Sequence, residues 1–330
     1  MATLADNRAT AEFIDSLRAN GADSVRINSA HVSPETLSEM VALVRSAAPG
    51  FKILMDTKGP ELRTNEASSP LNLREGDTVE ISTSTLPCSG YAIHTSTNGI
   101  VQLASPTDEI YLDDGAIAIE VISTDGGKIR GRVTRGGQLD SRKTMAFSHG
   151  RLPDLPAVSQ RDLQMIRAAQ RSGIDMIAHS FVRSPNDVEA VRRAAADSNL
   201  RIYAKIECRE AIANLDAIIS AADGILVARG DLATAIDPAD IPALQYDILM
   251  RCRKAGRPTI VATQILQSMI QSPVATRAEL SDIALAVMEG ADCLLLCGET
   301  AMGRYPAECV ATMAKTIRSV ESNSLRCKIN

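Results

Sequence analysis

The sequence predicts an α/β fold of the (β/α)8-barrel (TIM) type, with a small β-barrel-like lid domain inserted after the third strand. Two observations lead to this prediction. From Ser24 onward, short apolar runs typical of buried strands alternate with amphipathic segments of helical period. A stretch rich in Ser, Thr, Gly and Asp then interrupts the alternation. We therefore expect a barrel formed by residues 1–64 and 149–330, and a lid formed by residues 65–148.

Eight segments are predicted as barrel strands: 2–4, 24–28, 52–57, 176–182, 201–207, 224–230, 259–264 and 293–299. Helices are predicted between them, because the capping residues Ser33, Ser159, Ser184 and Thr276 precede amphipathic runs and Gly290 ends one of these runs. An open, doubly wound sheet is the alternative architecture. It is disfavoured because no G-x-G-x-x-G follows an early strand and no G-x4-G-K-[ST] occurs.

The inserted stretch shows the alternating pattern of half-buried strands at 77–82, 117–123 and 128–134. Turn sequences at 113–115 and 125–127 separate these segments. Because the insertion leaves the barrel at the carboxyl end of a strand, it is expected to lie over the mouth of the barrel. A lid with hinges near Thr64 and Arg151 is the natural role.

Composition favours an enzyme that acts on small molecules. With 330 residues and 45% hydrophobic content, the chain can bury a large core. A net charge of -5, from 35 Lys and Arg against 40 Asp and Glu, does not favour a nucleic-acid partner. The sequence contains no run of eighteen apolar residues, so a membrane partner is not predicted. The seven cysteines form no C-x-x-C pair, which is typical of reduced thiols and predicts a cytoplasmic protein.

Charged residues end two neighbouring predicted strands. Lys205 and Glu207 are two positions apart, so their side chains point to the same side, into the barrel and towards its mouth. Asp231 follows the next strand and adds a second carboxylate. Two carboxylates suit Mg2+ (or Mn2+), beside which Lys205 would supply a positive charge. A purely structural ion pair is the alternative interpretation.

Further polar residues are predicted at the same rim. Arg26 and Arg229 are cations suited to a phosphate or carboxylate, and Thr263 could donate a hydroxyl hydrogen bond to a substrate carboxylate. Each of the three, taken alone, is more typical of a structural residue. Together with a metal site they predict an anion pocket.

Several motifs resemble those of pyruvate kinases. They are DTKGPELRT at 56–64, KIE at 205–207, VARGDL at 227–232, ATQ at 262–264, TRAE at 276–279, and GADC through GETA at 290–301. The resemblance covers about residues 3–320 and is weakest in the inserted domain. It implies a glycolytic phosphotransferase that transfers the phosphoryl group of phosphoenolpyruvate to ADP, giving pyruvate and ATP.

The resemblance also implies roles for individual residues. Glu207 and Asp231 would hold Mg2+, while Lys205 and Arg26 would offset charge on the transferred group. The substrate carboxylate would meet Thr263 and the backbone at Gly230. The nucleotide would contact Arg63, His31 and Lys143, and a K+ ion would be held by Asn28, Asp56 and Thr57.

Three departures from the family pattern qualify these expectations. Ala30 stands where the family has a serine ligand of K+, so we expect a weakened K+ site. Cys297 replaces a serine near the site that protonates the enolate, and a thiol is a weaker hydrogen-bond donor. The sequence ends at Asn330, so we expect no carboxy-terminal allosteric domain, and a homodimer through barrel helices.

Two other functions remain open from the sequence. A related enzyme could use the same metal-assisted enolate chemistry on a 2-keto acid or pass the phosphoryl group to a different acceptor. A non-catalytic module could sense phosphoenolpyruvate or a nucleotide, although catalytically inactive relatives usually lose a charged residue and Lys205, Glu207, Asp231 and Arg26 are all present.

Overall fold

The computed structural model describes residues 1–113, 115–148, 155–196 and 199–327, the last five of these by their backbone only. The predicted hinge at Arg151, the predicted start of the second barrel segment at residue 149 and the turn residue Asp114 lie outside these residues.

Eight parallel strands form the barrel in sequence order. They are β1 (Ala2–Thr3), β2 (Ser24–Asn28), β3 (Lys52–Asp56), β12 (Met176–His179), β13 (Arg201–Ile206), β14 (Gly224–Ala228), β15 (Thr259–Ala262) and β16 (Cys293–Leu295). The first and last strands meet where the amide of Thr3 donates to the carbonyl of Leu296 at 3.0 Å. The predicted barrel is confirmed, and every strand matches a predicted segment, most of them ending earlier than expected.

Side chains of the barrel strands alternate between two apolar layers. Outward-facing residues such as Ile53 and Ile202 are fully buried against the helices. Inward-facing residues such as Leu54, Ala178 and Leu226 fill the barrel itself. Asp56 and Lys205 occupy inward positions towards the carboxyl ends of their strands, so the apolar layer lies below the site.

Helices surround the barrel. They are α1 (Ala11–Ala19), α2 (Pro34–Ala47), α4 (Gln160–Ser172), α5 (Pro185–Ala194), α6 (Arg209–Ala213), α7 (Leu215–Ala221), α8 (Arg229–Ala235), α9 (Ile241–Ala255), α10 (Arg277–Glu289), α11 (Gly298–Ala301) and α12 (Pro306–Cys327); α3 (Ile100–Leu103) lies in the insertion. Ser159 and Thr276 form capping boxes, and Gly290 ends α10 in the left-handed conformation, as their residue types predict.

The insertion contains β4 (Leu71–Leu73), β5 (Thr78–Thr83), β6 (Ala92–Thr95), β7 (Glu109–Leu112), β8 (Ile117–Asp125), β9 (Lys128–Arg135), β10 (Gly137–Leu139) and β11 (Met145–Phe147). Six of these strands form one sheet in the order β11-β7-β8-β9-β5-β6, and β4 pairs with β10. The insertion has its own apolar core, and β11 lies against α8 of the barrel. The predicted separate β structure is confirmed; its limits at residues 65 and 148 stay a prediction.

Among the described residues, no helix has the length and apolar character needed to cross a membrane.

Candidate active site

A buried group of opposite charges occupies the mouth of the barrel. The ammonium of Lys205 lies 2.7 Å from Oε1 of Glu207 and 3.3 Å from Oδ1 of Asp56. Arg26 forms a salt bridge with the same Asp56 carboxylate. These residues come from three strands, so the parallel register of β2, β3 and β13 brings together side chains that are far apart in the sequence.

The charges in this group stabilise one another. Burial alone would lower the pKa of Lys205, but the carboxylates of Asp56, Glu207 and Asp231 outweigh burial and raise it, so the ammonium stays charged. Burial alone would raise the pKa of Asp56, but Lys205 and Arg26 lower it. The site therefore holds a fixed arrangement of full charges at neutral pH, which suits charge stabilisation in a reaction.

The carboxylates of Glu207 and Asp231 are suited to a divalent metal. Both residues line one cavity between barrel and lid. The amide of Phe181 donates to Oε2 of Glu207 at 2.7 Å, and the ammonium of Lys205 lies 2.7 Å from the buried Oε1. Within the described part of the chain, no cluster of three His, Cys, Asp or Glu ligands occurs. Two carboxylates are nevertheless a usual protein contribution to a Mg2+ site, so these residues fit the ion.

The residues predicted to hold K+ fit less well. Oδ1 of Asn28 accepts the amide of Ala30 at 3.1 Å, and the Thr57 carbonyl accepts the hydroxyl of Ser180 at 2.7 Å. Asp56 already pairs with two cations. Ala30 contributes no side-chain oxygen. A monovalent cation would therefore find an incomplete set of ligands, and the Asn28 and Thr57 oxygens in that set already accept hydrogen bonds from the protein.

Thr263 and Arg229 act on the site through the backbone. The Thr263 hydroxyl accepts the amide of Gly230 at 2.7 Å and donates to the Ala262 carbonyl at 2.6 Å. Arg229 donates to the Thr263 carbonyl at 2.8 Å and pairs with Asp282 of α10 at 2.7 Å. The guanidinium of Arg229 is thus engaged by the outer helices, and it fixes the loop after β15 to the first turn of α8, which carries Asp231.

The loop after β15 is strained. Thr263 has a φ of 70° and Gln264 a φ of 54°. Left-handed backbone is uncommon for a residue other than glycine and is an outlier for a β-branched residue. Such conformations persist only where the surroundings determine them, and they cluster at functional sites. The strain therefore marks this loop as a candidate part of the site, whereas the Thr263 hydroxyl already donates to the Ala262 carbonyl, so its hydrogen bond to a substrate carboxylate stays a prediction.

Cys297 contributes a neutral thiol near Arg26. Burial raises the pKa of Cys297, and the positive charge of Arg26 opposes that effect only in part. Its amide donates to Glu299 at 2.8 Å, and the other oxygen of that buried carboxylate accepts the amide of Leu266 at 3.0 Å. Glu299 therefore ties the segment after β16 to the segment after β15.

The predicted nucleotide contacts lie at the edge between barrel and lid. Arg63 pairs with Glu61, and the ammonium of Lys143 lies 2.9 Å from Asp113. His31 is exposed on a short 3-10 turn after β2. Arg63 and Thr144 pair as an isolated β bridge, which places Arg63 where the lid joins the barrel. The structure brings none of these three into the buried charge group, and their roles stay a prediction.

Sequence reasoning missed three residues that follow or end β12. Ser180 and Phe181 contact Lys205 and Glu207. His179 is fully buried, and its Nδ1 lies 3.0 Å from the hydroxyl of Thr57. Burial lowers the pKa of His179 to about 4, with Asp162 and Asp187 opposing the effect and Lys205 and Arg183 adding to it. The histidine is therefore neutral at pH 7 and acts as a packed structural group.

Comparison with known proteins gives a consistent result. The family model described as "Pyruvate kinase, barrel domain" matches residues 1–310. The chain is 36% identical to a pyruvate kinase of Borreliella burgdorferi over 98% of its own length and 68% of that protein. It is 38% identical to a pyruvate kinase of Methylorubrum extorquens, covering 98% of this chain and 69% of that one, and 40% identical to one of Geobacillus stearothermophilus, covering 89% and 51%.

Solved structures agree. A crystal structure of a pyruvate kinase from Cryptosporidium parvum superposes with a TM-score of 0.90 at 31% identity, covering 97% of this chain and 68% of that one. The similarity thus extends over barrel and insertion alike, and over about two thirds of that relative's length.

Proposed function

The chain belongs to the pyruvate kinase family and is an enzyme of that type, and we propose that it transfers the phosphoryl group of phosphoenolpyruvate to ADP at the cavity between barrel and lid. The observation that carries the proposal is the buried group of Lys205, Glu207 and Asp56 beside Asp231. Phosphoryl transfer asks mainly for positioning and for stabilisation of charge, and rigid strand ends supply both.

In the proposed reaction, the bond between phosphorus and the enol oxygen breaks and a bond to a terminal oxygen of ADP forms. The enolate left behind takes a proton at its methylene carbon and becomes pyruvate. Lys205 and Arg26 keep their protons throughout and offset negative charge on the transferred group. The neutral thiol of Cys297 lies near Arg26, where it would be a weak donor in the path of that proton.

The family uses a divalent metal and K+, and the residues present fit the first better than the second. Glu207 and Asp231 would hold Mg2+ or Mn2+, which polarises phosphoryl and enolate oxygens when it is bound. The Phe181 amide holds Oε2 of Glu207 and the Lys205 ammonium lies 2.7 Å from Oε1, so the carboxylate has a fixed orientation for this role. K+ would meet Asn28, Asp56 and Thr57 without a serine hydroxyl, so we derive no step from it.

The other site residues would position the substrates. Thr263 holds the first turn of α8 through the Gly230 amide, and Arg229 holds Thr263. The substrate carboxylate would lie near this turn. Arg63, His31 and Lys143 would contact ADP at the edge of the lid, where Arg63 is already placed by its bridge to Thr144. The assembly of this chain into a dimer and its place in the cytoplasm belong to the same proposal.

The test measures ATP formation from phosphoenolpyruvate and ADP with Mg2+, in K+ and in Na+, for the wild type, Lys205→Met and Lys52→Met. Lys52 begins β3 at the opposite end of the barrel, with 59% of its side chain exposed. We expect Lys205→Met to lose about a thousandfold in kcat, since it removes a preorganised cation at the reacting group. Lys52→Met should match the wild type.

Two results would contradict the proposal. Full activity in Lys205→Met would refute the charge-stabilisation argument. A wild type that binds phosphoenolpyruvate but makes no ATP would refute the reaction, and exchange of the pyruvate methyl protons with D2O, followed by NMR, would then separate a 2-keto acid enzyme from a sensing module.

A further inference from the structure

We propose that the Ser180–Phe181 turn, which directly follows β12, is a positioning element that holds Lys205 and Glu207 in their reactive arrangement. The turn makes one contact to each of the two charged residues. The Ser180 hydroxyl accepts a hydrogen bond from the Lys205 ammonium at 2.9 Å, and the Phe181 amide donates to Oε2 of Glu207 at 2.7 Å. The inference rests on the proposed function, because it assigns these contacts to phosphoryl transfer.

Hydrogen bonds to Thr57 fix Ser180 independently of its contact with Lys205. Its side chain is buried, its hydroxyl donates to the Thr57 carbonyl at 2.7 Å, and its amide donates to the Thr57 hydroxyl at 3.1 Å. The hydroxyl proton is thereby directed to Thr57, which leaves an oxygen lone pair for the ammonium. Lys205 is a long and flexible side chain, so a fixed acceptor restricts its position beyond what the nearby carboxylates impose.

Phe181 presents its amide from a strained backbone. Its φ is 53°, in the left-handed region that a bulky residue rarely adopts. A return to negative φ would either turn the amide plane away from Glu207 or displace Val182, which is fully buried. The surroundings thus enforce the strain, and its consequence is a backbone donor aimed at a carboxylate.

The turn also has no room to relax. A Cβ placed on Gly59 would lie 2.6 Å from the Ser180 carbonyl oxygen, so the loop after β3 is in close contact with the turn. Phe181 also lines the cavity together with Met145 and Phe147 of the lid. The turn is therefore held between barrel loop and lid, where it can transmit the position of both to Lys205 and Glu207.

The contact to Glu207 has a specific consequence for metal binding. Because the Phe181 amide occupies Oε2 and the Lys205 ammonium lies 2.7 Å from Oε1, the carboxylate cannot rotate freely and keeps one orientation beside the cavity that it lines with Asp231. A ligand that is already oriented binds a cation more tightly than one that must be ordered first. The turn should therefore raise affinity for a divalent metal independently of turnover.

The experiment compares Phe181→Asn with Phe181→Val. Both remove the ring, but asparagine tolerates positive φ whereas the β-branched valine resists it. Binding of Mn2+ is measured from the electron paramagnetic resonance signal of the free ion. We expect Phe181→Asn to bind Mn2+ within about threefold of the wild type and Phe181→Val to bind it roughly tenfold more weakly, given the usual energy of left-handed strain.

A second variant tests the other half of the turn. Ser180→Ala removes the acceptor for Lys205 but leaves the Phe181 amide in place, so Mn2+ affinity should stay near the wild-type value. The kcat should fall about 10- to 100-fold, with a smaller change in KM for phosphoenolpyruvate, because a hydrogen bond to a charged group is lost.

Several outcomes would overturn the inference. They are equal Mn2+ affinities in folded Phe181→Asn and Phe181→Val, unchanged kcat in Ser180→Ala, or a wild type that does not bind Mn2+. If Phe181→Val does not fold, as judged by circular dichroism, Ser180→Ala decides the question. A wild type that binds Mn2+ yet makes no ATP would refute the proposed reaction, while the difference in Mn2+ affinity between the variants would still test the turn.

Discussion

Replacing Gly59 by alanine should damage both stability and catalysis, because this glycine meets two requirements at once. Its φ is +65°, and a Cβ at this position would lie 2.6 Å from the Ser180 carbonyl oxygen. The left-handed conformation costs about 1–2 kcal/mol for alanine, and forcing an atom into a packed site costs about 1–3 kcal/mol more. We therefore expect a loss of roughly 2–5 kcal/mol in the free energy of unfolding.

The effect on catalysis follows from the distance. To relieve the collision, the Ser180 carbonyl must move by about 0.5 Å, and Ser180 holds the Lys205 ammonium. A misplacement of 1 Å can cost on the order of a hundredfold in rate, so a shift of half that size should lower kcat by about tenfold.

A second glycine, Gly256, separates the cost of the left-handed backbone from the cost of the steric contact. Gly256 ends α9 with a φ of +64°, and a Cβ there would meet no atom within 4 Å. Gly256→Ala should therefore lose only the cost of the left-handed conformation and keep full activity. Thermal unfolding by circular dichroism and the coupled ATP assay give the two readouts. If Gly59→Ala and Gly256→Ala were equally stable and equally active, the packing argument would be refuted.

Three further predictions follow from the structure. Ala30→Ser should restore a hydroxyl ligand and lower the K+ concentration needed for half-maximal ATP formation by several fold; an unchanged K+ dependence would count against the assigned site. His179 has its pKa lowered to about 4 in the folded state, so the unfolded chain binds more protons between about pH 4 and 6.5 and stability should fall by about 3 kcal/mol as the pH drops through that window. Denaturant titrations at pH 7 and pH 4.5 should show this loss in the wild type and a smaller one in His179→Gln. Gly224→Ala would place a Cβ 2.3 Å from the Tyr203 ring and should destabilise the barrel by about 1–3 kcal/mol, while Tyr203→Leu in the same chain should recover most of the loss on thermal unfolding.

The barrel was predictable because its signals are local. Each strand is a short apolar run, each helix has a period of 3.6, and residues such as Ser159 and Gly290 mark helix ends by their own chemistry. The polar residues Lys205, Glu207 and Asp231 were found because they end or follow predicted strands, which parallel topology then gathers at one mouth.

The rest of the site depends on contacts that no local pattern encodes. Arg229 follows a strand end like the other site residues, yet its partner is Asp282 on a helix 53 positions later in the sequence. Phe181 adopts a left-handed backbone against the preference of its side chain. In the insertion, several strands of only three or four residues were too short to give a periodic signal. Packing at long range decides all three cases.

The formal charges at the mouth bear on the order in which ligands bind. Lys205 and Arg26 supply two positive charges, whereas Asp56, Glu207 and Asp231 supply three negative ones. Glu61 and Arg63 pair with each other at the lid edge and cancel. A multiply charged anion such as phosphoenolpyruvate would therefore meet a buried site with a net charge of -1, and repulsion at low dielectric is strong.

A divalent cation at Glu207 and Asp231 changes the sign of that charge to +1. Affinity for phosphoenolpyruvate should consequently rise with metal occupancy, and by linkage metal affinity should rise with phosphoenolpyruvate by the same factor. Ser180 and Phe181, which contact Lys205 and Glu207, then matter for substrate binding as well as for chemistry, since they hold a cation of the site and a proposed metal ligand in fixed positions.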